Sequence, residues 1–198
     1  MRVHFLTHPE VVIDPEVPVS EWGLSDRGRE RAQLAGSALR GISAVWSSPE
    51  VKAEQAARVI ADELALPVLL AGGLAEVDRR TTGYLPEPDF WANYQEFLDR
   101  PTHSARGWET AVDAQRRIVS AVEEIIEAVE ADQDVGEDIV LMSHGGVGAL
   151  LLCQLSGTPI QRLVNQPGQG SLFSFDARTR EILHGWQSFE DFARAAAR

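Results

Sequence analysis

Two histidines stand where apolar runs break. In "FLTHPE" His8 follows Phe5, Leu6 and Thr7 and precedes a proline, and in "VLMSHGGVGALL" His144 closes an apolar run ahead of Gly145 and Gly146. A neutral imidazole near pH 7 serves as nucleophile, general base or metal ligand. Taken singly, each residue also fits a solvated or core-satisfied histidine. A metal is the weaker reading. His4 and His8 fall on one strand face, but four residues at the strand rise separate them by roughly 13 Å, so they cannot share an ion. The chain has no HExxH and no clustered acidic pair, so no metal and no cofactor is expected. His144 has a further property: glycines after it let a backbone approach closely, and a helix beginning there points free amides, Gly145 first, at the same spot. That is an anion site.

The segments around these residues read as an α/β domain, with short apolar runs alternating with stretches of helical period. "RVHFLTH" (2–8), "ISAVWSS" (42–48), "LPVLL" (66–70) and "EDIVLMSHGG" (137–146) are strand candidates. Between them, "SDRGRERAQLAGSALRG" opens on the cap Ser25, turns Ala32, Leu34, Ala35, Ala38 and Leu39 inward and stops at Gly41. "PEVKAEQAARVIADELAL" carries Pro49 in its first turn and an apolar stripe of Val51, Ala56, Val59, Ile60 and Leu64. A long amphipathic helix covers 108–132, a buried one 147–157, and the chain closes with strands "SLFSFD" and "REILHGW" about a turn at 176–179 and a short helix. Residues 71–105 break the rhythm with Gly72, Gly73, Gly83, Pro86, Pro88 and Pro101 among Tyr84, Phe90, Trp91, Tyr94 and Phe97. This stretch is an excursion, helical around 87–99, whose aromatics either line a pocket for an organic group or fill core beneath a loop. In an open parallel sheet, ligands bind beyond the carboxyl ends of the strands, where His8 and His144 both fall.

At 198 residues, 44% hydrophobic and 24% charged, the chain has the makings of one domain over 1–198. A formal charge of −12 argues against nucleic acid or anionic lipid as a partner, since both favour a basic face. Cys153 is the lone cysteine, set in "GALLLCQL" as a helical core position. That suits a reducing cytoplasm, and no run approaches a signal or membrane segment. The expectation is a cytoplasmic protein without membrane contact, compatible with a homo-oligomer. Trp22 and Trp46 read as packing residues, and His4, His103 and His184 receive no role.

An ordered set of segments adds a family. "FLTHPE", "LSDRGRERAQLAGSAL", "VWSSPEVKAEQAARVIADELALPV", "LAEVD", "GWETAVDAQRRI" and "VLMSHGGVGALL" together resemble the histidine phosphatase superfamily, the phosphoglycerate-mutase-like group. The resemblance implies a three-layer α/β/α sandwich with a mostly parallel central sheet. It implies His8 as the nucleophile that carries the phosphoryl group, His144 as the second histidine of the phosphate pocket, and Glu76 in "LAEVD" as the acid for the leaving oxygen. By residue type alone, neither Glu76 nor Glu109 stands out. The chain also departs from the family pattern. Thr7-His8-Pro9 replaces Arg-His-Gly, leaving one hydroxyl in place of a guanidinium, and Lys52 stands where the second phosphate arginine belongs, keeping charge without bidentate geometry. Pro9 removes an N–H and favours an extended His8. Arg79, Arg80 and Arg106 are candidate replacement clamps, each equally well read as solvated. The expected function is a metal-independent phosphomonoesterase on a small phosphorylated substrate, with Thr7, Lys52, Arg79, Arg80 and Gly145 on the substrate. The rivals are a catalytically silent member that binds a phosphorylated metabolite or a protein partner, and a phosphomutase.

Overall fold

Period-two alternation sorts the strand side chains into two cores. In β1 (Arg2–Thr7), Val3 and Phe5 face one side and Leu6 the other; in β4 (Asp138–Ser143), Ile139 and Leu141 oppose Val140 and Met142. The computed structural model describes residues 1–131 and 138–198. Its six-stranded sheet runs β3-β2-β4-β1-β5-β6, with β2 at Ile42–Ser47, β3 at Val68–Leu70, β5 at Ser171–Asp176 and β6 at Ile182–Ser188. β3, β2, β4 and β1 are mutually parallel, whereas β5 is antiparallel to β1 and β6 to β5. The expected mostly parallel sheet is present, and β4 inserts between β1 and β2.

Helices cover both faces. α1 (Asp26–Ala38), α2 (Val51–Leu64) and α6 (Phe189–Ala196) bound one core; α4 (Ala111–Ala131) and α5 (Gly145–Leu155) bound the other, with α3 (Glu87–Asp99) packed at its edge. The result is the expected three-layer α/β/α sandwich. α1 begins where expected, since the Ser25 hydroxyl accepts from the Gly28 N–H at 3.1 Å. Its contact with α2 is built from Ala32, Ala35, Ala53, Ala56, Ala57 and Ile60, all at most 1% exposed. Leu34, expected inward, is 39% exposed, because two residues past Ala32 it stands roughly 200° round the helix from the buried face.

Other boundaries moved for local reasons. α2 starts after Pro49, with Glu50 at its N-cap. β6 starts at Ile182 rather than Arg180: the Asp176 carboxylate takes the Arg178 and Thr179 N–H groups and Arg180 adopts φ 61°, lengthening the turn. Asp132 and Glu137, expected at the ends of α4 and β4, lie outside the described residues. Within the 71–105 stretch, α3 spans the expected helix, and Phe97 is core while Tyr84 packs on Trp22 with ring centroids 5.6 Å apart.

Candidate active site

The register of β1 on β4 assembles the site. Thr7 pairs with Ser143, so the next residue of each strand, His8 and His144, emerges side by side at the carboxyl edge. The His8 N–H donates to the Ser143 carbonyl at 3.1 Å, and the two imidazoles meet edge to face with centroids 5.2 Å apart. Beyond His8 the chain turns against the start of α1, where Ser25 N–H donates to the Glu10 carbonyl. Gly28 makes that turn possible, since a Cβ there would lie 2.2 Å from the Glu10 oxygen.

His8 has a defined tautomer. Its Nδ1 lies 2.9 Å from the Pro9 carbonyl, which only accepts, so Nδ1 carries the proton and Nε2 keeps its lone pair. Burial lowers its pKa to about 4, assisted by the Lys52 and Arg79 charges and opposed by the Pro9 contact and Glu50. At neutral pH the imidazole is uncharged. His144 is fully buried behind it, with Nε2 2.8 Å from the Ser48 hydroxyl and Nδ1 without a hydrogen-bond partner among the described residues. Burial, followed by the neighbouring His8, Lys52 and Arg79, pushes its pKa well down.

Glu76 reaches the same place from the loop after β3. Its Oε1 accepts from the Val77 and Val147 N–H groups and its Oε2 from Gly146 N–H, all at 3.0 Å, which puts the carboxylate on the first turn of α5. Gly146 permits this approach, because a Cβ there would stand 2.6 Å from Oε1. Arg117 braces the loop: its guanidinium grips both Glu109 oxygens at 2.9 and 2.7 Å and donates to the carbonyls of Gly73, Ala75 and Glu76.

Lys52 is 3% exposed, and its Nζ donates to Glu50 Oε2 at 2.5 Å and to the Val19 carbonyl at 2.8 Å. Glu50 therefore ties three parts of the site, since its Oε1 also accepts from the Glu76 N–H at 2.9 Å and lies 3.6 Å from His144 Nε2. Residue-type reasoning missed Glu50 and Arg117. Glu50 sits at a helix N-cap position that ordinarily caps its own helix, and nothing local distinguishes it.

A cleft of about 550 Å³ opens over His8, lined by Lys52, Glu76, Arg79, Gly145 and Gly146, with Phe90, Trp91, Tyr94, Trp108 and Trp22 on one wall and Asn165, Gln166 and Gln169 on the other. Trp22, expected as packing only, is thus part of the cleft. Arg79 lies over the Phe90 ring at 5.2 Å and has no ion-pair partner among the described residues. Three expected binding residues are placed elsewhere. Arg80 is 88% exposed and forks onto Asp78, outside the cleft. Arg106 is exposed at a left-handed turn, φ 49°, also outside it. Thr7 is fully buried and its hydroxyl bonds Gln166 and Ser171, so it is not free to contact a ligand: the strand pleat turns it away from the face that His8 occupies. Among the described residues no cluster of three metal-ligating side chains occurs, and no helix is long and apolar enough to cross a membrane.

Comparison with known proteins agrees with this architecture. Solved structures with the same fold include a mycobacterial glucosyl-3-phosphoglycerate phosphatase in complex with inorganic phosphate (22% identity, TM-score 0.75, covering 94% of each chain) and Bacillus stearothermophilus YhfR (19% identity, TM-score 0.77, covering 91% of this chain and 93% of that one). A further mycobacterial structure, described as hydrolase 2, is 21% identical with TM-score 0.73 and covers 99% of this chain and 96% of its own. No protein of curated function matches in sequence. The family model described as histidine phosphatase superfamily (branch 1) matches residues 17–184, a span that takes in Lys52, Glu76 and His144 and begins after His8. With that match over most of its length and this fold, the chain belongs to the histidine phosphatase superfamily.

Proposed function

We propose that the protein is a metal-independent phosphomonoesterase that works through a phosphohistidine at His8. The observation that carries this reading is the His8 imidazole itself: neutral, facing the cleft, with Nδ1–H committed to the Pro9 carbonyl and Nε2 therefore the nucleophilic atom. Nε2 attacks phosphorus, the ester P–O bond breaks, and the departing oxygen takes a proton from Glu76 as general acid. The positive charge on the phosphorylated ring is met at Nδ1–H by the Pro9 carbonyl. Water then attacks phosphorus, Glu76 accepts its proton, and the P–N pair returns to Nε2. Lys52, Arg79 and the Gly145 amide supply charge and donors for the phosphoryl oxygens, which is where most of the rate enhancement of such transfers originates.

The cleft is several times larger than a phosphoryl group needs, and its aromatic wall supports a substrate with an organic body. The mycobacterial neighbours, named as phosphatases of glucosyl-3-phosphoglycerate, support a small organic phosphate by likeness of fold. A second reading, a silent member that binds a phosphorylated ligand, draws on the pairing of Lys52 with Glu50. Hydrolysis of an aryl phosphate in the presence of a chelator separates the two. The wild type should turn over, His8→Ala should lose about 10³-fold or more, and acid-labile phosphate should appear on the wild type alone. Orthophosphate binding without turnover would leave the silent reading standing.

A further inference from the structure

We propose that the amide of Gln166, held in place by Thr7, is the phosphoryl donor that replaces the missing first-motif arginine. The inference rests on the phosphatase reading and adds a residue to it. Thr7 Oγ1 accepts from the Ser171 N–H at 3.1 Å and donates to Gln166 Oε1 at 2.6 Å, its nearest acceptor; the Ser171 carbonyl is at 3.2 Å. With the amide oxygen committed, both protons of Nε2 remain available, and that nitrogen makes no hydrogen bond among the described residues.

Its position is equally informative. Gln166 lines the cleft and lies directly over Gly145, close enough that a Cβ on Gly145 would stand 2.2 Å from Nε2. The amide thus covers the first residue of α5, immediately after His144 and beside the strand that ends in His8. The loop that carries it is tied to the same strand end, since Gly170 N–H donates to the His8 carbonyl at 3.0 Å. A phosphoryl group on His8 Nε2 would meet an NH₂ there with its orientation already fixed. Threonine at position 7 then has a function different from that of an arginine: it orients a neutral donor and makes no contact with the ligand itself. The neighbouring Asn165 also lines the cleft, its Oδ1 accepting from the Tyr94 hydroxyl at 2.8 Å.

Two variants of near-native shape test this. Gln166→Met keeps the volume over Gly145 and removes the donors; Gln166→Glu keeps an acceptor for Thr7 and sets a carboxylate oxygen where the NH₂ stood. Inhibition constants for orthophosphate against aryl-phosphate hydrolysis, with thermal melts as a fold control, are the readout. Gln166→Met should weaken orthophosphate by about 10- to 100-fold, the worth of one hydrogen bond to a charged oxygen, and Gln166→Glu by more. Thr7→Val should weaken it in the same direction and Thr7→Ser should restore it. If the wild type hydrolyses and binds orthophosphate while both Gln166 variants stay within about twofold of it, the amide has no such role and the phosphatase reading survives. If the wild type neither hydrolyses nor binds orthophosphate, that reading falls and the assignment of Gln166 falls with it.

Discussion

Gly146 shows how one missing side chain serves the chemistry against stability. At the second position of α5 an alanine would be the better helix former by up to about 1 kcal/mol. Its Cβ, however, would enter the 2.6 Å space held by Glu76 Oε1 and push the carboxylate off the Gly146 and Val147 amides. Gly146→Ala should therefore lower kcat about 10-fold or more, the size of a misplaced acid–base group, with a thermal melt as the control for folding. Equal kcat in that variant would mean that Glu76 works from another position. Lys52 illustrates the same economy: an ammonium at 3% exposure is held by a carboxylate and a carbonyl, so its charge reaches a ligand already partly offset.

Helix α3 brings the aromatic wall. Phe90 and Tyr94 stack at 5.8 Å, Tyr94 and Phe97 at 5.7 Å, and the ladder continues to Trp108, anchoring the helix through its inner face. Trp91, on the outer face, is 54% exposed at the rim of the cleft. Its ring meets Phe90 and Tyr94 edge to face with centroids 5.2 and 5.9 Å apart, so Trp91→Ala should lower the melting temperature by a few degrees. Stacking against a planar leaving group is worth about 1 kcal/mol, so the same variant should raise KM for an aryl phosphate about fivefold and leave KM for a small alkyl phosphate unchanged. Equal effects on both esters would place Trp91 outside the leaving-group contact.

For the molecule as a whole, burial of uncharged imidazoles sets the response to acid. His4 and His8 both titrate at about 4 instead of 6.5, chiefly through burial, and burial pushes His144 well below 6.5 as well. In the unfolded chain these groups take up protons below pH 6.5, whereas in the native state they do not until about pH 4. The unfolded state thus binds more protons in that window, and stability falls as the pH drops through it. Stability should be flat above about pH 7.5 and decline by a few kcal/mol by about pH 5, read as a falling urea midpoint at constant slope. The carboxylates whose pKa values are held down, Asp78 by Arg80 and Glu190 by Arg31, lose their contribution only at lower pH. A flat urea midpoint between those two pH values would show that the imidazoles are solvated.

Strand and helix positions were legible because they depend on neighbours one to four residues away: period-two runs at β1 and β4, the Ser25 cap, the break between β3 and α3. The two histidines were legible for the same reason, as residues at the ends of such runs. Glu76 was found through an ordered set of motifs and would not have stood out by type. Glu50, Arg117 and Gln166 could not be read from the chain, since each also meets a group far along it: Glu50 the Glu76 amide, Arg117 the carbonyls of Gly73 and Ala75, and Gln166 the hydroxyl of Thr7, 159 residues away. The fate of the arginines divides in the same way. All three candidates carry the same charge in similar loops, but only Arg79 meets an aromatic face at the cleft, while Asp78 draws Arg80 out to solvent. Local pattern fixes which segments pair and where they end; which side chain fills a given volume is settled when remote segments close around it, because packing and hydrogen-bond geometry act through space and not along the chain.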